Sequence, residues 1–230
     1  ILGTPKERLI AVLLLALGIP CSAQLATILG ILGGVSFAAL VTLFGVVLAQ
    51  MFFVGFLAAR TITGDRSEFI MELPPLRLPQ LGNVVRKTLL RVRWYLGEAV
   101  PLFLIGTALL FGLSRLGLLT TVTSVAEPVV AGVLGLPRDA AAVFIMGFLR
   151  RDYGAAGLFK MLKAGQLDGV QAVVALTVMT LFVPCVANFL MMVKEQGLKA
   201  ALRILAVVTV IALGTGAVLN AVLRGLNVAF

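Results

Sequence analysis

Histidine is absent from the 230 residues, cysteine occurs twice, and aspartate and glutamate together occur ten times. The missing histidine excludes imidazole zinc sites and imidazole general bases. Two cysteines are too few for the paired CxxC sites that hold structural zinc. Both lie deep in apolar sequence, where a free thiol behaves as a small hydrophobe. Charged residues make up 13% of the chain, whereas a soluble domain carries about 25%. The alternating segments of about ten residues that build an outer-membrane barrel are missing too. There is no G-x-x-x-x-G-K-[ST] phosphate loop and no G-x-S-x-G elbow. The chain is therefore expected not to be an enzyme and to hold no catalytic residue.

What is present is apolar sequence, 60% of the residues, in recurring runs of about 20, the length that crosses the hydrocarbon core as a helix. Backbone groups in lipid must pair internally, so helices are the expected spanning element. The expected fold is all-α, a polytopic membrane protein with about six membrane segments. The net charge is +9 and the basic residues cluster, which reads as positive-inside bias and contact with membrane lipid, and not as nucleic-acid binding. The chain begins at Ile1, and Lys6 and Arg8 lead directly into an apolar run without a cleavable signal pattern. A piece of a longer polypeptide is expected.

Two short segments nearly repeat. Ile19-Pro20-Cys21-Ser22-Ala23-Gln24 and Val183-Pro184-Cys185-Val186-Ala187-Asn188 each interrupt a long apolar run and carry the two cysteines. At the same offset Gly33 matches Gly197 and Arg60 matches Arg224. Proline removes a helix donor and clashes with the preceding turn, so each segment predicts two half-helices with exposed backbone groups between them. Such a break at membrane depth must line a cavity or be buried in protein. Half-helix ends present partial charges, and unwound carbonyls coordinate cations. A cysteine sulfur and an amide oxygen (Gln24, Asn188) add mixed S/O donors that suit a borderline ion such as Fe(II). The plainer alternative is a proline kink beside a packed cysteine. Whether the two repeats are parallel or inverted stays open, since both occur in transporters.

The remaining organisation follows from composition. Residues 1–60 form a first gate repeat, a broken helix followed by a second span. Residues 61–96 form a Pro-rich loop and a surface helix, in which Arg86, Lys87, Arg91 and Arg93 interleave with apolar residues at helical spacing. Residues 97–165 hold central segments, with a third span from Glu98 to Leu119 and a short interfacial helix from Thr120 to Leu136. Residues 166–230 form the second gate repeat. Glu98 reads as a helix cap or as an ion contact. Met191 and Met192 read as packing residues or as thioether ligands. Arg150-Arg151-Asp152 interrupts another apolar run, and two readings stand. Either Asp152 is a metal ligand or gating acid with an arginine counter-ion, or a half-spanning helix ends there in water. With single crossings throughout, Lys194, Lys199 and Arg203 fall on the face opposite the basic 60–93 connection, against the positive-inside rule. A re-entrant segment near Arg150 removes that conflict.

Phe69-Ile70-Met71-Glu72-Leu73-Pro74-Pro75-Leu76-Arg77-Leu78-Pro79 resembles the ELPPYRLP signature of the FeoB ferrous iron transporters, with Leu76 in place of its tyrosine. Gly18-Ile19-Pro20-Cys21-Ser22-Ala23-Gln24 and Phe182-Val183-Pro184-Cys185 resemble that family's two gate motifs, with Gln24 where arginine is commoner. Arg151-Asp152 stands where the family often has Lys-Glu. The resemblance covers essentially the whole chain. It implies import of ferrous iron across a prokaryotic cytoplasmic membrane, with Fe(II) as the transported ion. Cys21 and Cys185 would be gate ligands, Pro20 and Pro184 the gate breaks, and Gln24, Asn188 and Asp152 further metal contacts. It also implies a GTP-binding G domain elsewhere in the same polypeptide, a small cytoplasmic accessory protein and a homo-oligomer. The basic stretch of Arg86, Lys87, Arg91 and Arg93 would contact lipid or that G domain. A nucleoside or other organic-solute permease and a non-transporting membrane scaffold are the alternatives.

Overall fold

The computed structural model describes residues 5–18, 20, 22–34, 36–61, 80–115, 117–149, 151–182 and 185–226. Among these residues it is all-α, with ten helices and no strand. The helices are α1 (Pro5–Gly18), α2 (Ser22–Leu32), α3 (Phe37–Thr61), α4 (Leu81–Arg115), α5 (Leu118–Leu134), α6 (Ala140–Leu149), α7 (Arg151–Lys163), α8 (Gly169–Leu181), α9 (Val186–Gln196) and α10 (Leu198–Gly225).

Helix α8 is the axis of the molecule. Every residue from Ala172 to Leu181 is buried, as expected for a helix that is apolar all round. Two long helices wrap it. In α3 the buried residues are Ala39, Leu43, Val47, Val54 and Ala58; in α10 they are Ala201, Ile204, Val208, Ala212, Gly216, Leu219 and Leu223. Both sets recur every three to four residues, or in multiples of that, so each helix turns one stripe inward. The outward stripes are also apolar: Phe52 is 79% exposed, and Phe53, Phe56, Val210 and Val218 are exposed as well. A soluble protein rarely presents such surface, whereas lipid favours it. Helices α3 and α10 are each long and apolar enough to cross a membrane. Small residues allow close approach at the packed faces. Gly216 lies against Val178 and Leu134, and Gly55 lies against Leu14.

These contacts give each element a direction. Gly18 against Met51 and Gly55 against Leu14 make α1 antiparallel to α3. Leu9 of α1, Thr61 of α3 and Ala200 and Arg203 of α10 line one groove, so the start of α1, the end of α3 and the start of α10 share one face. Lys6, Arg60, Lys199 and Arg203 gather there, and we term it the basic face. At the opposite face Gln171 Nε2 donates to the carbonyl of Gly135 at 2.9 Å, and Asn220 of α10 abuts Gly135. Gly135 takes φ 64°, the left-handed helix terminator that glycine favours.

Helices α6 and α7 form an antiparallel hairpin that starts and ends on this opposite face. Gly157 lies against Val143, and Gly154 against Gly147. At 10 and 13 residues the two helices rise only about 15 and 20 Å, short of the ~30 Å hydrocarbon thickness. The chain enters the helical bundle along α6 and returns along α7, which fits the re-entrant alternative raised by Lys194, Lys199 and Arg203.

One sequence expectation is changed. The surface helix and the third span are a single helix, α4, which runs through Gly97 and Pro101. Proline deletes one donor but does not oblige a helix to stop when the flanking turns hold; Pro128 sits inside α5 in the same way.

Candidate functional site

Both expected interruptions lie between helices. The first separates α1 from α2, with Pro20 outside either helix, and the second separates α8 from α9. Helix α1 runs from the basic face inward and α2 continues to the far face. Helix α8 runs from the far face inward and α9 continues to the basic face. The two interrupted helices are therefore inverted relative to each other. Gln24 of α2 bonds Thr180 of α8, while Val12 and Leu15 of α1 share a cavity with Asn188, Met191, Met192 and Glu195 of α9. These contacts belong to one antiparallel register, which sets the two interruptions level.

The contacts at that level are specific. Gln24, 5% exposed, donates through Nε2 to Thr180 Oγ1 at 3.0 Å and to the carbonyl of Met179 at 3.2 Å. Thr180 Oγ1 donates to the carbonyl of Leu176 at 2.7 Å, the back-bond of a hydroxyl within a helix. The Met179 side chain fills the notch between Gly147 and Gly154 at the hairpin tip. Any side chain on either glycine would meet it. Met51 packs on Gly18, the last residue before the first interruption. The first break, the second break and the hairpin tip thus meet around Met179 and Thr180. One turn earlier on α8, Thr177 is fully buried and its Oγ1 has no partner among the described residues.

The expected site residues are distributed as follows. Gln24 is at the centre. Cys185 immediately precedes α9 and is a free, partly exposed thiol. Asn188 is exposed on α9 and faces the cavity shared with α1. Asp152 belongs to the first turn of α7, beside the hairpin tip; its side chain, like that of Arg151, lies outside the described residues, as do Cys21 and Pro184. Arg86, Lys87, Arg91 and Arg93 are all exposed on the first half of α4, away from the breaks.

Sequence reasoning passed over Met179, Thr180, Gly147 and Gly154. A signal for them existed. Two threonines stand one turn apart in the apolar run 169–181, and two glycines flank the charged triplet at 150–152.

Among the described residues no three His, Cys, Asp or Glu side chains cluster; the donor types near this level are the Cys185 thiol, the Gln24 amide, the Thr180 hydroxyl and backbone carbonyls. Sulfur with neutral oxygen favours a borderline divalent ion over sodium or magnesium.

The chain is thus an all-α membrane protein of transporter type, with inverted, interrupted helices and a helical hairpin meeting between its two faces. Two family models match it. Residues 39–91 match the C terminus of ferrous iron transport protein B, and residues 96–199 match the gate family described as nucleoside recognition. Together the two matches are consistent with the C-terminal transmembrane region of a FeoB-family protein. The second match includes the hairpin and the second interruption; the first interruption lies outside both. No curated protein and no solved structure matches significantly.

Proposed function

We propose that this chain is the permease part of a FeoB-type transporter and that it carries ferrous iron across the prokaryotic cytoplasmic membrane. The carrying observation is the level, inverted pair of breaks closed by the Gln24–Thr180 bond. A solute moving between the faces must pass this level, where backbone groups freed from helix pairing are available to it. Cys21 and Cys185 supply sulfur, Asn188 an amide oxygen and Asp152 a carboxylate. Gln24 is the latch, since its amide holds the two broken helices together. The basic face is cytoplasmic under the positive-inside rule, so α6–α7 is re-entrant from outside. The two interrupted helices with their following spans are two inverted gate repeats. GTP binding belongs to a G domain of the same polypeptide, and the basic half of α4 transmits the state of that domain or rests on lipid. A small cytoplasmic accessory protein and a homo-oligomer complete the assembly.

The test is anaerobic Fe(II) uptake into proteoliposomes. Cys21→Ser and Cys185→Ser are expected each to lower uptake at least about tenfold, the scale on which altered metal environments respond. Unchanged uptake in both contradicts the proposal.

The match of residues 96–199 to a nucleoside-recognition gate favours one second reading, a permease for nucleosides or similar organic solutes. That reading expects labelled nucleoside to accumulate and the cysteine variants to be silent.

A further inference from the structure

Helix α9 carries a row of donors beyond those of the break itself. With about 100° between successive residues, Cys185, Asn188, Met191, Met192 and Glu195 fall within a third of the helix circumference. The row leads from the second interruption to the basic face. Its last four members line a cavity of about 150 Å³ against Val12 and Leu15 of α1, more than enough for an ion with some of its water. Neither Asn188 nor Glu195 takes a salt bridge or side-chain hydrogen bond among the described residues. Glu195 also stands in the last turn of α9, where the helix presents partial negative charge and a carboxylate is unfavourable unless a cation offsets it.

We propose that Glu195, with the thioethers of Met191 and Met192 and the amide oxygen of Asn188, forms a second cation position on the basic-face side of the breaks. It takes a partly hydrated divalent ion of borderline softness. The carboxylate supplies charge, and the sulfurs disfavour calcium and magnesium. Asn188 is the member of this position nearest Cys185, the end at which the ion arrives along the row. The inference rests on the ion-transport reading, but Met191, Met192 and Glu195 lie outside the gate motifs.

The test is equilibrium binding of Fe(II) to the chain in lipid nanodiscs, without oxygen or thiol reductant, for the wild type, Glu195→Gln, Glu195→Asp and the double variant Cys21→Ser/Cys185→Ser. The double variant is expected to retain a site that Glu195→Gln weakens at least about tenfold and that Glu195→Asp largely keeps. Glu195 is exposed, so helicity and thermal unfolding of Glu195→Gln should match the wild type. Wild-type binding by Glu195→Gln overturns the inference and leaves the transport reading standing. Loss of binding in Glu195→Gln, together with undiminished uptake by the cysteine variants, supports the site and removes only the gate-cysteine reading.

Discussion

The side-chain amide of Gln24 donates to the hydroxyl of Thr180 at 3.0 Å, across 156 residues of chain. The bond ties the helix after the first interruption to the helix before the second. It is fully buried, and its acceptor is already engaged with the carbonyl of Leu176. Removing the Gln24 amide deprives two buried acceptors, Thr180 Oγ1 and the carbonyl of Met179, of their donor, and water does not replace the lost bonds. Gln24→Leu is expected to destabilise the chain by about 1–3 kcal/mol and Thr180→Val by about 1 kcal/mol, since Gln24 keeps the carbonyl of Met179 in the second case. Reversible unfolding in mixed detergent, arranged as a double-mutant cycle, measures the pair. A coupling indistinguishable from zero would show that the bond does not hold the breaks together.

The hairpin tip depends on two glycines. A Cβ on Gly154 would strike Gly147 and Met179. Gly154→Ala is expected to cost about 1–3 kcal/mol, the range for overpacking a tight interior, and to separate α6 from α7. Gly45 and Gly214 meet nothing within 4 Å, and alanine there is expected to be neutral or to stabilise by up to about 1 kcal/mol through helix propensity. Thermal unfolding of the three variants side by side checks this. Equal effects at all three would mean that the close approach is not under strain.

At the far face Gln171 joins two elements, α5 and α8. Its Oε1 accepts from the backbone N–H of Asp168 at 3.0 Å, and its Nε2 donates to Gly135. Gln171→Ala removes a helix-start contact and a tether between α5 and α8 together. A loss of about 1–2 kcal/mol is expected, with Gln171→Glu recovering the first contact only. Unfolding free energies of the two variants decide it.

The inverted register predicts a cross-link. In a Cys21→Ser/Cys185→Ser background, cysteines introduced at Gln24 and Thr180 are expected to join through a short bifunctional thiol reagent. A Gln24 and Asn188 pair is expected not to join, because the register sets Asn188 against α1, on the basic-face side of the breaks. Electrophoretic mobility after cleavage between the two sites reads the result. The reverse pattern would require the broken helices to run parallel.

Much of this arrangement could be read from the residues. The two Pro-Cys segments marked both interruptions, because a proline beside small residues in an apolar run has few other uses. The charges at 150–152 marked the boundary between two short helices, α6 and α7, whereas the inward stripes of α3 and α10 were not legible, because their outward faces are apolar too. The boundary inside α4 was misplaced at Glu98, read as the cap of a new span, whereas the helix continues through it. Whether a helix stops at a candidate cap depends on what the neighbouring turns pack against, which is tertiary information. The inverted relation of the breaks was illegible for a similar reason. A repeat in sequence gives an offset, whereas direction depends on how many segments cross between the copies, and the α6–α7 hairpin changes that number. Met179 and Thr180 escaped notice because methionine and threonine in an apolar helix are ordinary until a partner such as Gln24 is seen.

The account depends on water and ions reaching the level where the breaks meet. The most direct measurement uses Cys21→Ser, which leaves Cys185 as the reporter. A membrane-impermeant thiol reagent is applied from each face of reconstituted vesicles, with and without Fe(II). The account predicts that Cys185 is labelled from the basic face and that Fe(II) slows the labelling at least about tenfold by occupying its sulfur. A thiol that stays inert from both faces, or one that reacts at the same rate whether or not iron is present, would contradict it.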